Sequence, residues 1–225
     1  MGRPVSLPLD KRFPIKTLLA VLAANLTIAA PLGTPPPSEV GGVLFAGASG
    51  IGHWKSLQED FKEYKIISKN CSGAQMTNMV NNIDHFFPYK PSIIIMQLGG
   101  NDLAAGKTPE QVCADFKTFV EKTRAALPDV RIIFMGLVPT VKRWDQAQPQ
   151  KKFDQLIKAY IASMKNMDYI DVWDAFLGTN GKPRPDLFIK DGQHNNREGY
   201  KIRAKLTRPY LQKWGAPANP KYESH

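Results

Sequence analysis

The arrangement of apolar segments after Val40 limits the possible folds more than any other feature of this chain. Five short, nearly unbroken apolar runs alternate with longer stretches of helical periodicity. Unbroken apolar runs are typical of strands that are buried on both faces, as in a parallel sheet covered by helices. We therefore predict an α/β fold, a three-layer α/β/α sandwich with a five-stranded parallel sheet. The predicted strands are residues 43–47, 65–70, 92–98, 131–138 and 169–172.

Three of the helical stretches have clear sequence signals. Thr108, Pro109 and Gln111 match a capping box with proline in the first turn, which predicts a helix that begins after Thr108. A second helix is predicted around residues 153–164, where apolar side chains repeat at helical spacing. A third is predicted from about residue 197 to residue 211. The apolar face of the second helix consists of Phe153, Leu156, Ile157, Tyr160, Ile161 and Met164.

Composition favours one globular domain and argues against several classes of protein. With 225 residues, 43% of them hydrophobic, the chain can bury one sizeable core. The formal net charge of +10 comes from scattered basic residues, so we predict a solvated basic surface and no nucleic-acid partner, with attraction to polyanionic material left open. Cys71 and Cys113 allow one disulfide but lack the spacing of a zinc site. We expect no metal and no cofactor.

The first 30 residues differ in kind from the rest. Basic residues precede an apolar run over residues 18–30, which ends in small residues and is followed by prolines, a pattern typical of a secretory signal peptide. We expect a signal peptide at residues 1–30, a linker at 31–39, a globular domain at 40–225 and a secreted or periplasmic protein. The alternative is an amphipathic helix packed on a cytoplasmic protein. No stretch reaches the roughly 20 apolar residues of a membrane-spanning helix, so we expect no integral membrane segment in the mature chain.

Ligands of open α/β sheets bind beyond the carboxyl ends of the strands, and polar motifs follow several predicted strands. Ser49 lies among small residues after the first strand, where the backbone can turn sharply and leave the hydroxyl accessible to a base. After the third strand, the Asn101 amide can donate to an oxyanion, while Asp102 either holds the loop or takes part in the chemistry. Gly73 offers a backbone N–H after the second strand. Each motif also occurs in ordinary turns or phosphate-binding loops.

The last motif, Asp191-Gly192-Gln193-His194, precedes the C-terminal helix. Its spacing lets the Asp191 carboxylate accept a hydrogen bond from Nδ1 of His194, which fixes the tautomer and directs Nε2 toward a serine elsewhere in the chain. The alternative is a solvated loop in which Asp191 caps a turn. Arg143 and Trp144 follow the fourth strand and are candidate substrate-binding residues. The alternative for this pair is a surface ion pair and a core indole.

Three other residues near these motifs are interpreted as structural. Trp54 is expected to pack behind the turn that carries Ser49, and His53 and His85 are interpreted as structural or solvated side chains.

Taken in order, the serine, glycine, asparagine and Asp-x-x-His motifs resemble the SGNH hydrolases, also called the GDSL family. The resemblance covers nearly all of the mature chain and implies the flavodoxin-like SGNH hydrolase fold. It implies that Ser49 is the nucleophile and that Asp191 and His194 complete a catalytic triad. It also implies an oxyanion hole made of the Ser49 and Gly73 N–H groups and the Asn101 amide. The expected reaction is hydrolysis of small-molecule or glycan esters through an acyl-serine, with short-chain or acetyl esters favoured.

The chain departs from the family pattern at two positions. The family usually has Gly-Asp-Ser where this chain has Gly47-Ala48-Ser49, and we expect activity to survive because that aspartate generally supports the loop. Asn70 stands where an additional glycine is common, which changes the glycine side of the oxyanion hole. Two alternatives stay open: a non-catalytic carbohydrate- or acyl-binding module on the same fold, and a flavodoxin-like phosphate or flavin binder. The second leaves the Asp-x-x-His motif unexplained.

Overall fold

A single five-stranded parallel sheet forms the centre of the computed structural model, which describes residues 35–222. The predicted signal peptide (residues 1–30) and residues 31–34 of the predicted linker lie outside the described residues. The strand order is β2-β1-β3-β4-β5, and every neighbouring pair is parallel. The strands are β1 (Val43–Gly47), β2 (Ile66–Asn70), β3 (Ile93–Gln97), β4 (Arg131–Met135) and β5 (Met167–Ile170).

Helices connect the strands and cover both faces of the sheet. Four are short and three run for four to five turns, and a few single turns of 3-10 helix complete the connections. Within residues 35–222 the helices are α1 (Ser49–Gly52), α2 (Leu57–Asp60), α3 (Met76–Asn81), α4 (Gly100–Ala104), α5 (Pro109–Ala126), α6 (Ala147–Ala162) and α7 (Arg197–Lys213).

Each face of the sheet has its own hydrophobic core. In β1, Leu44 and Ala46 pack with α3, α5 and α6 on one face, whereas Val43 and Phe45 pack with α7 and the segment that contains α2 on the other. Successive side chains of a strand point to opposite faces, so a strand buried on both faces is apolar at nearly every position. This packing confirms the predicted three-layer α/β/α sandwich.

Helix α5 begins at its predicted signal, whereas α6 begins six residues before the predicted residue 153. At the start of α5, the Thr108 hydroxyl accepts from the Gln111 N–H, and the Gln111 side chain accepts from the Thr108 N–H, which is the predicted capping box. Of the six predicted apolar residues, Phe153, Ile157 and Ile161 of α6 are buried, and the other three pack against the same core.

Two strands differ from the prediction by two or more residues at an end. β4 stops at Met135, although residues 131–138 were predicted, because the N–H of Leu137 bonds to the Asp154 carboxylate of α6 rather than to a neighbouring strand. β5 begins and ends two residues earlier than the predicted strand at 169–172. Asp168 is tolerated there because β5 is an edge strand, and its carboxylate accepts from Lys213 and Trp214.

The described residues include neither a disulfide nor a helix long and apolar enough to cross a membrane. Cys71 is exposed in the turn after β2, and Cys113 is buried in α5. Residues 35–222 also contain no group of three or more His, Cys, Asp or Glu residues arranged to hold a metal ion.

Candidate active site

The carboxyl ends of the central strands and the loop before α7 surround a cleft of about 100 Å³. Four residues predicted for the site line this cleft: Ser49, Asn101, Arg143 and His194. They come from four separate segments of the chain, so the sheet topology is what brings them together. The cleft is therefore the candidate active site.

Close packing of β1 against β3 shapes the turn that carries Ser49. A Cβ added to Gly47 would lie 2.6 Å from the carbonyl oxygen of Gln97, so this strand end requires glycine. Ala48 is extended (φ −89°, ψ −152°), and Ser49 is the first residue of α1. The N–H of a first helical residue has no partner within its helix. Ser49 thus offers a backbone N–H as well as a hydroxyl.

His194 lies between Ser49 and Asp191. Its Nε2 is 2.9 Å from Ser49 Oγ, and its Nδ1 is 2.6 Å from Asp191 Oδ2. An ionised carboxylate only accepts hydrogen bonds, so Nδ1 carries a proton and Nε2 of the neutral ring is the acceptor for the serine hydroxyl. This tautomer suits a base that removes a proton from Ser49.

The loop around Asp191 keeps its carboxylate ionised. Its Oδ1 accepts from the backbone N–H groups of Gln193 and His194 at 2.8 and 2.9 Å, which Gly192 permits by adopting a φ of +65°. Desolvation alone would raise the pKa of Asp191, but the hydrogen bonds from His194 and Gln193 outweigh it and lower the pKa to about 2. A negative charge therefore faces Nδ1 at neutral pH and stabilises an imidazolium.

Two fixed partners orient the Asn101 amide. Its Nδ2 donates to the Ala74 carbonyl at 3.0 Å, and its Oδ1 accepts from Arg143 Nη2 at 3.1 Å. Since a guanidinium only donates, the oxygen of the amide must face Arg143. One hydrogen of Nδ2 then stays available to an oxyanion in the cleft.

The two candidates after β4 have different surroundings. Arg143 is half-buried in the cleft wall and also donates from Nη1 to the Gly100 carbonyl at 3.0 Å. Desolvation lowers the pKa of its guanidinium. Trp144 is not among the residues that line the cleft, and its ring lies against that of Trp173, with centroids 6.4 Å apart.

The turn after β2 approaches the cleft through Ala74 rather than Gly73. Gly73 has a φ of +77° and is exposed, whereas Ala74 is buried and lines the cleft. Asp102 holds this turn, because its buried carboxylate accepts from the Met76 N–H and from Lys107. Of its two predicted alternatives, Asp102 thus has the contacts of a residue that holds the loop.

Comparison with known families assigns the chain. The model of the GDSL-like lipase/acylhydrolase family matches residues 38–202, which is most of the sequence. The chain belongs to this family. It is therefore an ester-hydrolysing enzyme, as the order of its motifs predicted, and its substrate is an ester. No curated protein is significantly similar to it.

Solved structures with the same fold include a GDSL-like lipase from Bacteroides thetaiotaomicron, with 21% identity, a TM-score of 0.65, and coverage of 81% of this chain and 92% of that chain. A carbohydrate esterase of family 3 from Talaromyces cellulolyticus has 19% identity and a TM-score of 0.61, covering 77% and 97%. An acetyl esterase variant with an acetate ion has 19% identity and a TM-score of 0.60, also covering 77% and 97%. At these identities the likeness shows the fold, and it confirms the predicted SGNH architecture.

The two departures from the GDSL pattern have local structural explanations. Ala48, which stands where the family usually has aspartate, is buried and belongs to the hydrophobic cluster under α3 and α5. Apolar packing supports the turn in place of a carboxylate. Asn70 lies against α1, since a Cβ added to Gly52 would be 2.4 Å from Asn70 Oδ1.

Sequence reasoning missed Arg203 of α7, which lines the cleft of this GDSL-like enzyme. Its guanidinium is fully buried and donates to the Gly50 carbonyl at 2.7 Å and to Gln97 Oε1 at 2.6 Å. Desolvation lowers its pKa to about 10. An arginine in an amphipathic helix gives no signal of burial, although Gln97, a polar residue at the end of an apolar strand, could have indicated a buried polar partner.

His53 lies closer to the GDSL site than its sequence interpretation as a structural or solvated residue indicated. Its ring stacks on that of His194, with centroids 4.1 Å apart and planes at 13°. Its position four residues after Ser49, one helical turn away, was the available signal. Trp54 is buried behind the Ser49 turn, stacked on Tyr200, and His85 does not line the cleft.

Proposed function

We propose that this enzyme is a serine-dependent carboxylic ester hydrolase that acts through an acyl-serine, with short-chain or acetyl esters as substrates. The observation that carries the proposal is the hydrogen-bonded chain from Ser49 Oγ through the His194 imidazole to the Asp191 carboxylate. A serine hydroxyl is a poor nucleophile unless a base removes its proton. Here the base is within hydrogen-bond distance and has its own orienting carboxylate.

In the first half of the reaction, Ser49 Oγ attacks the ester carbonyl carbon while its proton passes to His194 Nε2. The carbonyl π electrons move to the oxygen, which becomes the oxyanion of a tetrahedral intermediate. The Ser49 N–H and the Asn101 amide are the candidate donors to it. Gly73, the third predicted donor, does not line the cleft, whereas its neighbour Ala74 does. Collapse breaks the bond to the alcohol oxygen, which takes the proton from Nε2.

In the second half, His194 Nε2 removes a proton from water as the water oxygen attacks the acyl carbon. Collapse of the new tetrahedral intermediate breaks the bond to Ser49 Oγ, which recovers the proton, and the carboxylic acid leaves. Asp191, with a pKa of about 2, stays ionised in both halves and stabilises the imidazolium.

The cleft wall supports a short acyl group. Its apolar part consists of a few small or medium side chains close to Ser49, with no long apolar groove among its lining residues. These side chains are Ala48, Ala74, Leu98, Leu137 and Val138. The shared fold of a family 3 carbohydrate esterase and an acetyl esterase agrees with this choice.

A serine-directed fluorophosphonate with peptide mapping tests the nucleophile. We expect labelling at Ser49 and none in Ser49→Ala, since the probe phosphonylates only an activated hydroxyl. A series of p-nitrophenyl esters of increasing chain length should give its highest kcat/KM at two to four acyl carbons. Folded protein that hydrolyses esters without labelling at Ser49 would show that another group is the nucleophile.

Asn101→Ala tests the oxyanion hole in the same assay. Loss of one donor should lower kcat by about 10² to 10³ with the fold intact. The non-catalytic binding module makes the opposite prediction, because such a protein would bind glycan or acyl ligands, give no turnover and leave the probe unreacted. No contact of the described residues favours that alternative.

A further inference from the structure

The charges that line the cleft are unbalanced. Two arginines, Arg143 and Arg203, contribute to its wall, and none of the described lining residues is an aspartate or glutamate. The carboxylate of the proposed triad, Asp191, is already bonded to His194 and Gln193. A positively charged cleft without an internal counterion attracts anionic ligands.

The two arginines differ in how many donors they have left. Arg203 is only 1% exposed, and its terminal nitrogens are engaged by Gly50, Gln97 and the Met135 sulfur. It is a structural part of the wall that supports the Ser49 turn. Its charge contributes to the potential in the cleft, but its hydrogen bonds are committed.

Arg143 retains free donors. A guanidinium has five N–H groups, and the described residues accept two of them, through the Gly100 carbonyl and Asn101 Oδ1. No carboxylate of residues 35–222 lies within ion-pair distance of it, although Asp145 is only two positions away in the sequence. Its Nε makes no hydrogen bond with the described residues and is not among the buried atoms without a partner, so this donor is accessible.

The rim beside Arg143 is basic as well. The loops that carry Lys142 and Lys190 meet next to His194, where the Lys142 N–H donates to the Gly192 carbonyl at 3.0 Å. Both lysines are exposed, and neither forms an ion pair with the rest of the described chain. The positive charge thus continues from the wall to the mouth of the cleft.

We propose that this enzyme selects esters whose alcohol portion carries an anionic group, a carboxylate or a phosphate, and that Arg143 binds this group. An acetylated acidic sugar is a substrate of this kind. The inference rests on the proposed function, because a short acyl group has no charge of its own and leaves the alcohol portion to reach Arg143. Guanidinium is well suited to such groups, since it forms paired, charge-assisted hydrogen bonds with them.

The test compares acetyl esters that differ in charge and little in shape: 3- and 4-acetoxybenzoate, 4-acetoxyphenyl phosphate, and neutral 4-acetoxybenzamide. The kcat/KM of each is divided by its rate of hydroxide-catalysed hydrolysis, which corrects for the leaving group. We expect at least one anionic ester to be preferred by about tenfold, the effect of about 1.4 kcal/mol of differential binding. Comparison of the corrected kcat/KM of the acetoxybenzoates with that of acetoxyphenyl phosphate shows which anion is preferred.

Arg143→Gln should reduce the ratio of corrected kcat/KM between anionic and neutral esters to about one. Arg143→Lys should keep part of the preference. Lys142→Gln is the matched control, since it removes one neighbouring charge from the rim, and we expect it to change the preference by less than about twofold. The ratio between anionic and neutral esters is the deciding quantity, because loss of the Arg143 contact with Asn101 would slow all substrates alike.

The two proposals fail in different ways. If the wild-type enzyme is labelled at Ser49 and hydrolyses all the esters equally well, the anionic substrate class is wrong and the serine mechanism stands. An Arg143→Gln enzyme that is slower on every ester but keeps the anionic preference would show that Arg143 only orients Asn101. Absence of both labelling and turnover would instead overturn the proposed function.

Discussion

Asp191 has two structural tasks, one for each of its oxygen atoms. Oδ2 accepts from the His194 imidazole, and Oδ1 accepts from two backbone N–H groups of its own loop. A substitution that removes the whole side chain would disturb both, so its effect on activity could not be assigned to either. Asparagine separates them because it keeps an acceptor oxygen for the loop.

Asp191→Asn should therefore leave the fold intact and lower kcat/KM by about 10³ to 10⁴, since the amide would donate to Nδ1 and force the proton onto Nε2. In that tautomer the imidazole cannot accept the proton of Ser49. The measurement is hydrolysis of p-nitrophenyl acetate together with the thermal unfolding temperature. A folded variant with activity within tenfold of the wild type would show that Asp191 does not orient His194.

Individual residues of the site were predictable to different degrees. Ser49, Asn101, Asp191 and His194 could be named because each lies in a short motif with a recognisable order along the chain. Arg203 could not be named, since an arginine in an amphipathic helix normally faces water, and only the packed structure places its guanidinium between the Ser49 turn and the end of β3.

At the scale of elements, the first turn of α4, which carries Asn101, is fixed by contact with α6. Gly99 precedes α4 with a φ of +112°, and a Cβ added there would lie 2.7 Å from Cε1 of Phe153 in α6. Gly99→Ala should displace Asn101, destabilise the protein by about 2 to 4 kcal/mol and lower kcat. Urea unfolding and esterase assays measure the two effects.

Gly106→Ala is the matched control for this prediction. Gly106 also has a positive φ, +90°, but an added Cβ would meet nothing within 4 Å. Gly106→Ala should lose only the stability that the positive φ costs an alanine, about 1 kcal/mol, and keep the kcat of the wild type. Equal losses in the two variants would mean that the contact with Phe153 does not hold the first turn of α4.

Element boundaries were predictable where a local signal ends the element. The start of α5 is set by a capping box of four consecutive residues, in which Thr108 and Gln111 interact as predicted. The end of β4 depends instead on tertiary structure. Leu137 and Val138 are apolar because they line the cleft. In the sequence they continue the apolar run of β4, so the end of the strand could not be predicted from that run.

At the scale of the whole molecule, the layers are joined by polar contacts as well as by the two cores. Asp154 of α6 is 5% exposed and accepts from the Leu137 N–H, which links the helix layer to the strand end beside the cleft. Burial raises the pKa of this carboxyl to about 7, and the Leu137 hydrogen bond offsets the rise only in part. An aspartate in an unfolded chain has a pKa of about 3.9.

Global stability should consequently depend on pH in a defined direction. The folded protein binds the Asp154 proton more tightly than the unfolded chain, so the contribution of Asp154 to the free energy of unfolding falls as pH rises from about 4 to about 7 and then levels off. Asp154→Asn keeps an acceptor for Leu137 and has no titratable group. The difference in free energy of unfolding between Asp154→Asn and wild type should increase by about 2 to 4 kcal/mol over this interval, in favour of the variant. Urea unfolding at each pH measures it.

Asp129→Asn, at an exposed carboxylate, is the control for the same chemical change, and we expect its pH profile to parallel that of the wild type. A difference between Asp154→Asn and wild type that stays constant from pH 4 to pH 8 would mean that Asp154 is ionised in the folded protein throughout. The Leu137 N–H would then stabilise a buried charge at the edge of the cleft. The negative charge of Asp154 would reduce the positive potential that Arg143 and Arg203 produce in the cleft.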